Sequence, residues 1–155
     1  MKSLLLTVAL LTAPFAFATP ASAADVSVAF TEGAESTFVE DYGVREKDYL
    51  AAAISRRVGA ALPDGYRAVV TVTEAKPSRP TLKQMSDKPG LSFQSFGIGG
   101  AAFDVAITAP GGATQTLSYK WFETDILESQ FESTWGDAHT AIQRLSHRVG
   151  KATAG

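Results

Sequence analysis

Phe103-Asp104-Val105-Ala106-Ile107-Thr108, Ala109-Pro110-Gly111-Gly112-Ala113 and Leu117-Ser118-Tyr119-Lys120-Trp121 decide how this chain folds. Phe103, Val105 and Ile107 alternate with Asp104, Ala106 and Thr108, and Leu117, Tyr119 and Trp121 alternate with Ser118 and Lys120. A period of two puts each apolar set on one face of a strand. The Pro-Gly-Gly link reverses the chain, so the two runs predict a β-hairpin with one buried face.

Working back from the hairpin, Tyr66 to Glu74 has Ala68, Val70 and Val72 on one face and Val69, Thr71 and Thr73 on the other. Its β-branched residues predict a third strand. From Glu46 to Leu62 the period changes: Leu50, Ile54, Val58 and Leu62 recur every fourth residue, the stripe of an amphipathic helix. Arg56 and Arg57 suit its C-terminal end, and Pro63-Asp64-Gly65 stops it. Val26, Val28 and Phe30 alternate with polar or small residues and predict a first strand over Asp25–Phe30. Thr31 to Arg45, acidic and irregular, is expected to be a surface loop.

Beyond the hairpin, Glu123 to Glu132 is acidic and shows no clear period. Ala138, Ile142, Leu145 and Val149 then predict a closing helix, with Thr134 as N-cap, Asp137 completing a variant capping box, and Gly150 at C′. The order β-α-β-loop-β-β-α is expected to make an α+β fold: a two-layer α/β sandwich of about four strands, with two helices packed on one face. The first strand–helix–strand unit is compatible with a parallel crossover.

The N-terminal residues carry an address. Lys2 supplies a positive charge, Leu4-Leu5-Leu6-Thr7-Val8-Ala9-Leu10-Leu11 an apolar stretch, and Ala21-Ser22-Ala23 the small-x-small pattern of a secretory signal. Cleavage is expected between Ala23 and Ala24, leaving 24–155 as a single exported domain. The apolar run from Leu4 to Ala18 contains Pro14 and falls short of the roughly 20 residues a spanning helix needs. No stable membrane anchor is expected after cleavage. The expected destination is the periplasm, with release outside the cell as the alternative.

The chain has no cysteine, so it forms no disulfide and offers no lipidation cysteine. The net charge is −2 and becomes −3 without Lys2. That balance argues against nucleic acid, whose binding needs clustered Lys and Arg.

Chemistry-bearing patterns are sparse. His139 and His147 are eight apart and point in directions about 80° apart on a helix, so they do not share an ion unaided. Glu123, Asp125, Glu128 and Glu132 offer oxygens of the kind calcium takes, but no EF-hand loop is present. No serine lies in a Gly-x-Ser-x-Gly elbow. Phe96-Gly97-Ile98-Gly99-Gly100 has the wrong spacing for a dinucleotide fingerprint and leads into a strand, where a bulge or flexible lead-in fits better. No catalytic residue, cofactor or metal ligand is assigned.

The connection from Lys76 to Gly100 is the strongest functional candidate. Long connections in small domains tend to serve a function or to be disordered. Arg79 and Lys83 beside Phe93 and Phe96 suit a protein contact surface. The competing expectation is that the aromatics tuck onto the sheet.

In Leu62-Pro63-Asp64-Gly65 after the helix, Val69-Val70-Thr71-Val72-Thr73-Glu74, and Phe96-Gly97-Ile98-Gly99 before the hairpin, the chain resembles the small uncharacterised periplasmic proteins and lipoproteins of Gram-negative bacteria that share a compact α/β fold. The likeness covers most of residues 24–155 and is mainly structural. It implies an envelope location and no established catalytic residues. The chain departs from the lipoprotein members in lacking the cysteine. These readings lead to an exported, non-enzymatic binding or envelope-accessory domain with an envelope protein as partner. A small periplasmic hydrolase and a calcium-binding acidic surface are the alternatives.

Overall fold

The computed structural model describes residues 24–154; the predicted signal segment and cleavage side of Ala23 lie outside the described residues. The predicted hairpin is present as β3 (Gly100–Thr108) and β4 (Thr114–Phe122), antiparallel and in unbroken register. Phe103, Val105 and Ile107 are buried, whereas Asp104 is exposed. β1 (Asp25–Phe30) runs parallel to β2 (Arg67–Lys76), and β2 runs antiparallel to β3. The sheet order is β1-β2-β3-β4.

Two long helices, α2 (Val44–Gly59) and α5 (Gly136–Thr153), cover one face of this sheet. Leu50, Ile54 and Val58 of α2 and Ile142, Leu145 and Val149 of α5 pack with Val70, Val72 and Phe103 in one core. The α+β sandwich with helices on one face is therefore the observed architecture. Parallel β1 and β2 require a crossover, which α2 supplies. A bulge between Val72 and Glu74 shifts the alternation of β2 so that Ala75 turns back to the core.

Several local expectations need correction. Thr31–Arg45 is not an open loop: α1 (Glu32–Thr37) is capped by the Thr31 hydroxyl and continues into a π-helical turn, Phe38–Tyr42. Its one long apolar pair, Phe38 and Tyr42, is too short a stripe to stand out among acids. Yet Phe38 is 1% exposed, stacked on Trp135 and edge-on to Phe30 and Tyr42. Gly43, at φ 105°, ends the turn and starts α2, earlier than the Glu46 expected; Leu62 is buried just beyond the helix.

The closing helix also differs. Its N-cap is Trp135, without a side-chain cap bond, and Asp137 turns inward instead of completing a box with Thr134. Gly150 lies inside the helix, where a Cβ would stand 3.6 Å from the Ala61 carbonyl oxygen. Gly150 is therefore a helix-interior residue, not a C′ turn. The acidic stretch contains a single-turn helix, α4 (Ile126–Ser129), capped by Asp125.

Candidate functional site

The connection from Lys76 to Gly100 contains a short helix, α3 (Leu82–Asp87). Thr81 and Gln84 close a reciprocal capping box at its start, the pairing that satisfies two free helix N–H groups. What holds the rest of the connection comes from the 123–137 segment.

Asp137 is the centre of that attachment. It is 3% exposed, and its Oδ2 accepts from Ser78 Oγ at 2.8 Å, the Gly99 amide at 3.1 Å and Ser129 Oγ at 3.2 Å. The Asp137 amide donates back to Ser78 Oγ at 3.2 Å. The Ser78 amide donates to the Thr134 carbonyl and the Gly97 amide to the Ser78 carbonyl. A buried carboxylate is tolerated only when such donors replace water. Gly99 fits because a Cβ there would lie 2.5 Å from Ser78 Oγ. Gly100, at φ 148°, leaves the space in which the Trp121 carbonyl approaches. Gly99 and Gly100 thus allow the close approach between the connection and the sheet.

Arg79 fixes the outer part. Its Nε donates to the Glu132 carbonyl at 2.6 Å, Nη1 to the Phe93 carbonyl at 2.7 Å and Nη2 to the Gln130 carbonyl. Only the planar guanidinium fork presents donors in this spread. Of the four residues proposed from sequence as a contact surface, Arg79 is therefore engaged internally. Lys83 pairs with Asp87 one turn along α3. Phe93 is 70% exposed and Phe96 42%. Leu82, Leu127 and Phe131 are exposed as well.

Between the fixed connection and the α1–α2 junction lies a cleft of about 200 Å³ lined by Tyr42, Pro77, Pro80, Leu91, Phe96 and the stem of Lys76, among others. A second recess of about 250 Å³ continues past Tyr42 and Lys76 toward Ala34 and Glu74. Its shared wall, Tyr42, keeps its hydroxyl proton: burial raises its pKa, and Asp41 and Glu74 add to the effect. The cleft therefore offers apolar and aromatic walls, a neutral phenol and one lysine. Lys88 is paired with Asp41.

Elsewhere, Tyr49 Oη and His139 Nε2 lie 2.9 Å apart and join α2 to α5. Burial and then Arg56 and Arg57 lower the His139 pKa. His147 is exposed and apart from it. Among the described residues no group of three His, Cys, Asp or Glu side chains is placed to hold a metal ion. No helix among them is long and apolar enough to cross a membrane.

Sequence reasoning identified the connection but missed Asp137, Ser78, Ser129 and Tyr42. The spacing of Asp137 from Thr134 predicts a helix cap, and single serines and tyrosines have no periodic signature. Two glycines just before a strand, Gly99 and Gly100, were the available hint of tight packing.

No family model and no curated protein matches the chain. A solved structure of a candidate lipoprotein from Caulobacter crescentus CB15 aligns over 86% of this chain and 91% of that one, at 11% identity and a TM-score of 0.35.

Proposed function

We propose that this chain is an exported, non-enzymatic accessory domain of the cell envelope that binds an apolar or aromatic segment of another envelope protein. The binding place is the cleft of Tyr42, Pro77, Pro80, Leu91 and Phe96. The supporting observation is a cleft with apolar walls whose moving parts are already tied down by Arg79 and Asp137. A preformed site avoids the entropy cost of ordering a loop on binding. Exposed Phe93 and Phe96 beside it supply the aromatic rim common at contact surfaces. Export rests on Lys2, the Leu4–Leu11 stretch and Ala21-Ser22-Ala23.

Deleting the connection is a poor test, because Ser78 and Arg79 hold the fold together. The better test places a photo-crosslinking residue at Ser95, on the cleft wall, and at Ala29, on the opposite side of the sheet. In envelope extract, Ser95 should capture a discrete protein that Ala29 does not, and Leu91→Ser with Phe96→Ser should abolish the capture. Equal products from both positions, or capture indifferent to the two substitutions, would contradict the assignment.

A further inference from the structure

β4 is the last strand of the sheet and leaves one edge unpaired among the described residues. The Ala109 amide donates to the Ala113 carbonyl at 2.8 Å, and the Glu123 amide donates to the Gly99 carbonyl at 3.0 Å. Between these two bonds the β3–β4 register has no shift. Antiparallel pairs alternate between bonded and non-bonded, so the odd-numbered residues of β4 face β3 with their N–H and C=O groups. Thr114, Thr116, Ser118, Lys120 and Phe122 turn theirs outward. The strand order ends at β4, so among the described residues these groups meet no other strand.

The edge is bordered by cations. On the helix side, the Arg144 guanidinium lies 4.6 Å from the Trp121 ring centroid and that of Arg148 lies 4.8 Å from Tyr119. On the other side Lys120 projects from the strand, 5.4 Å from the Phe122 ring. Among the described residues none of the three forms an ion pair. Asp104 is the nearby acid on β3, and Ser118 hydrogen-bonds it on the face away from the helices. A cation–π contact holds each guanidinium over its ring while leaving its N–H donors available.

We propose that β4 accepts, as a fifth strand, an extended acidic segment with carboxylates at alternate positions. Arg144 and Arg148 are four residues apart on α5, a rise of about 6 Å. Alternate residues of an extended strand are about 6.8 Å apart. An Asp/Glu-x-Asp/Glu sequence therefore sets one carboxylate against each arginine, while its backbone pairs with Thr116, Ser118 and Lys120. Strand addition draws affinity from such main-chain bonds and specificity from alternate side chains. A second copy of this chain is disfavoured as the occupant, because edge-to-edge pairing would bring its Arg144 and Arg148 toward the same two arginines.

The test uses the chain with two labelled hexapeptides of one composition, Thr-Glu-Thr-Glu-Thr-Val and Thr-Thr-Glu-Glu-Thr-Val. Only the first puts both glutamates on one face. It should bind at least about tenfold tighter, the worth of one charge-assisted hydrogen bond, and should slow exchange of the Thr116, Ser118 and Lys120 amides. Ser118→Pro removes an outward N–H and no main-chain bond to β3, at the cost only of the exposed hydroxyl's bond to Asp104, so it should abolish binding. Arg144→Gln with Arg148→Gln, which leaves the strand backbone untouched, should bring the two peptides level. Equal affinity of the peptides for the unaltered chain would overturn the proposal. So would unchanged binding in the double arginine variant, or protection of those amides that grows with protein concentration in the absence of peptide.

Discussion

Ser78 Oγ donates to Asp137 Oδ2 across 2.8 Å, joining residues 59 apart in sequence at a point where neither side chain meets solvent. This bond ties the end of β2 to the start of α5. It turns the long connection between β2 and β3 into a fixed wall of the cleft.

Asp137→Ala removes the acceptor shared by Ser78, Gly99 and Ser129 and leaves three buried donors without a partner. The expected loss is about 3 kcal/mol, since each unpaired buried donor costs on the order of 1–3 kcal/mol and relaxation recovers part of it. Asp137→Asn, which keeps one carbonyl acceptor, should lose less. Urea denaturation of the three proteins measures the ranking.

Arg79→Lys should fail to restore what Arg79→Ala removes. A single ammonium does not reach three carbonyls held by a fork. Both variants should lose about 1–3 kcal/mol. They should also accelerate amide exchange on both sides of the fork, near Phe93 and near Phe131, while β3 keeps its protection.

Gly100→Ala tests the close approach before the hairpin. The backbone stands at φ 148°, and an added Cβ would press on backbone atoms of Trp121 and Phe122. Backbone strain of about 1–3 kcal/mol is expected, with a lowered melting temperature. Gly97→Ala, where a Cβ meets nothing within 4 Å, should melt close to the parent.

His139 gives a pH dependence with a defined sign. Its pKa is lowered in the folded chain, first by burial and then by Arg56 and Arg57, from an ordinary value of 6.5. The unfolded chain therefore takes up the proton first as pH falls. Stability contributed by the neutral ring is complete above pH 6.5, declines as pH drops below it, and levels off under the folded pKa. His139→Gln should flatten that part of the stability profile. An unaltered slope just below pH 6.5 in the variant would show that other groups produce it.

Periodic features were legible in the sequence. Phe103-Val105-Ile107, Ala68-Val70-Val72, the Leu50–Val58 stripe and the Ile142–Val149 stripe repeat an element's own period, and burial in the sandwich follows from that period. Phe38 was not legible, because an aromatic in an acidic stretch gains its meaning from stacking on Trp135, far along the chain, and from Phe30 of β1. Arg79 was legible as a basic residue beside aromatics, but two of its three carbonyl partners depend on how the 130–132 turn folds back. Asp137 misled for a related reason. Its spacing from Thr134 suits a cap, while tertiary donors from Ser78, Gly99 and Ser129 outweigh that local role.

The preformed cleft depends on the fixed state of its wall, which native-state hydrogen exchange measures at three amides. Ser78 donates to Thr134, Gly97 to Ser78, and Gly99 to Asp137. These amides should exchange as slowly as those of Val70 and Val105 in the sheet centre, and Asp137→Ala should release them. Exchange at Ser78 and Gly99 as fast as at exposed Gly90 would contradict it, leaving the connection a mobile loop without a preformed cleft.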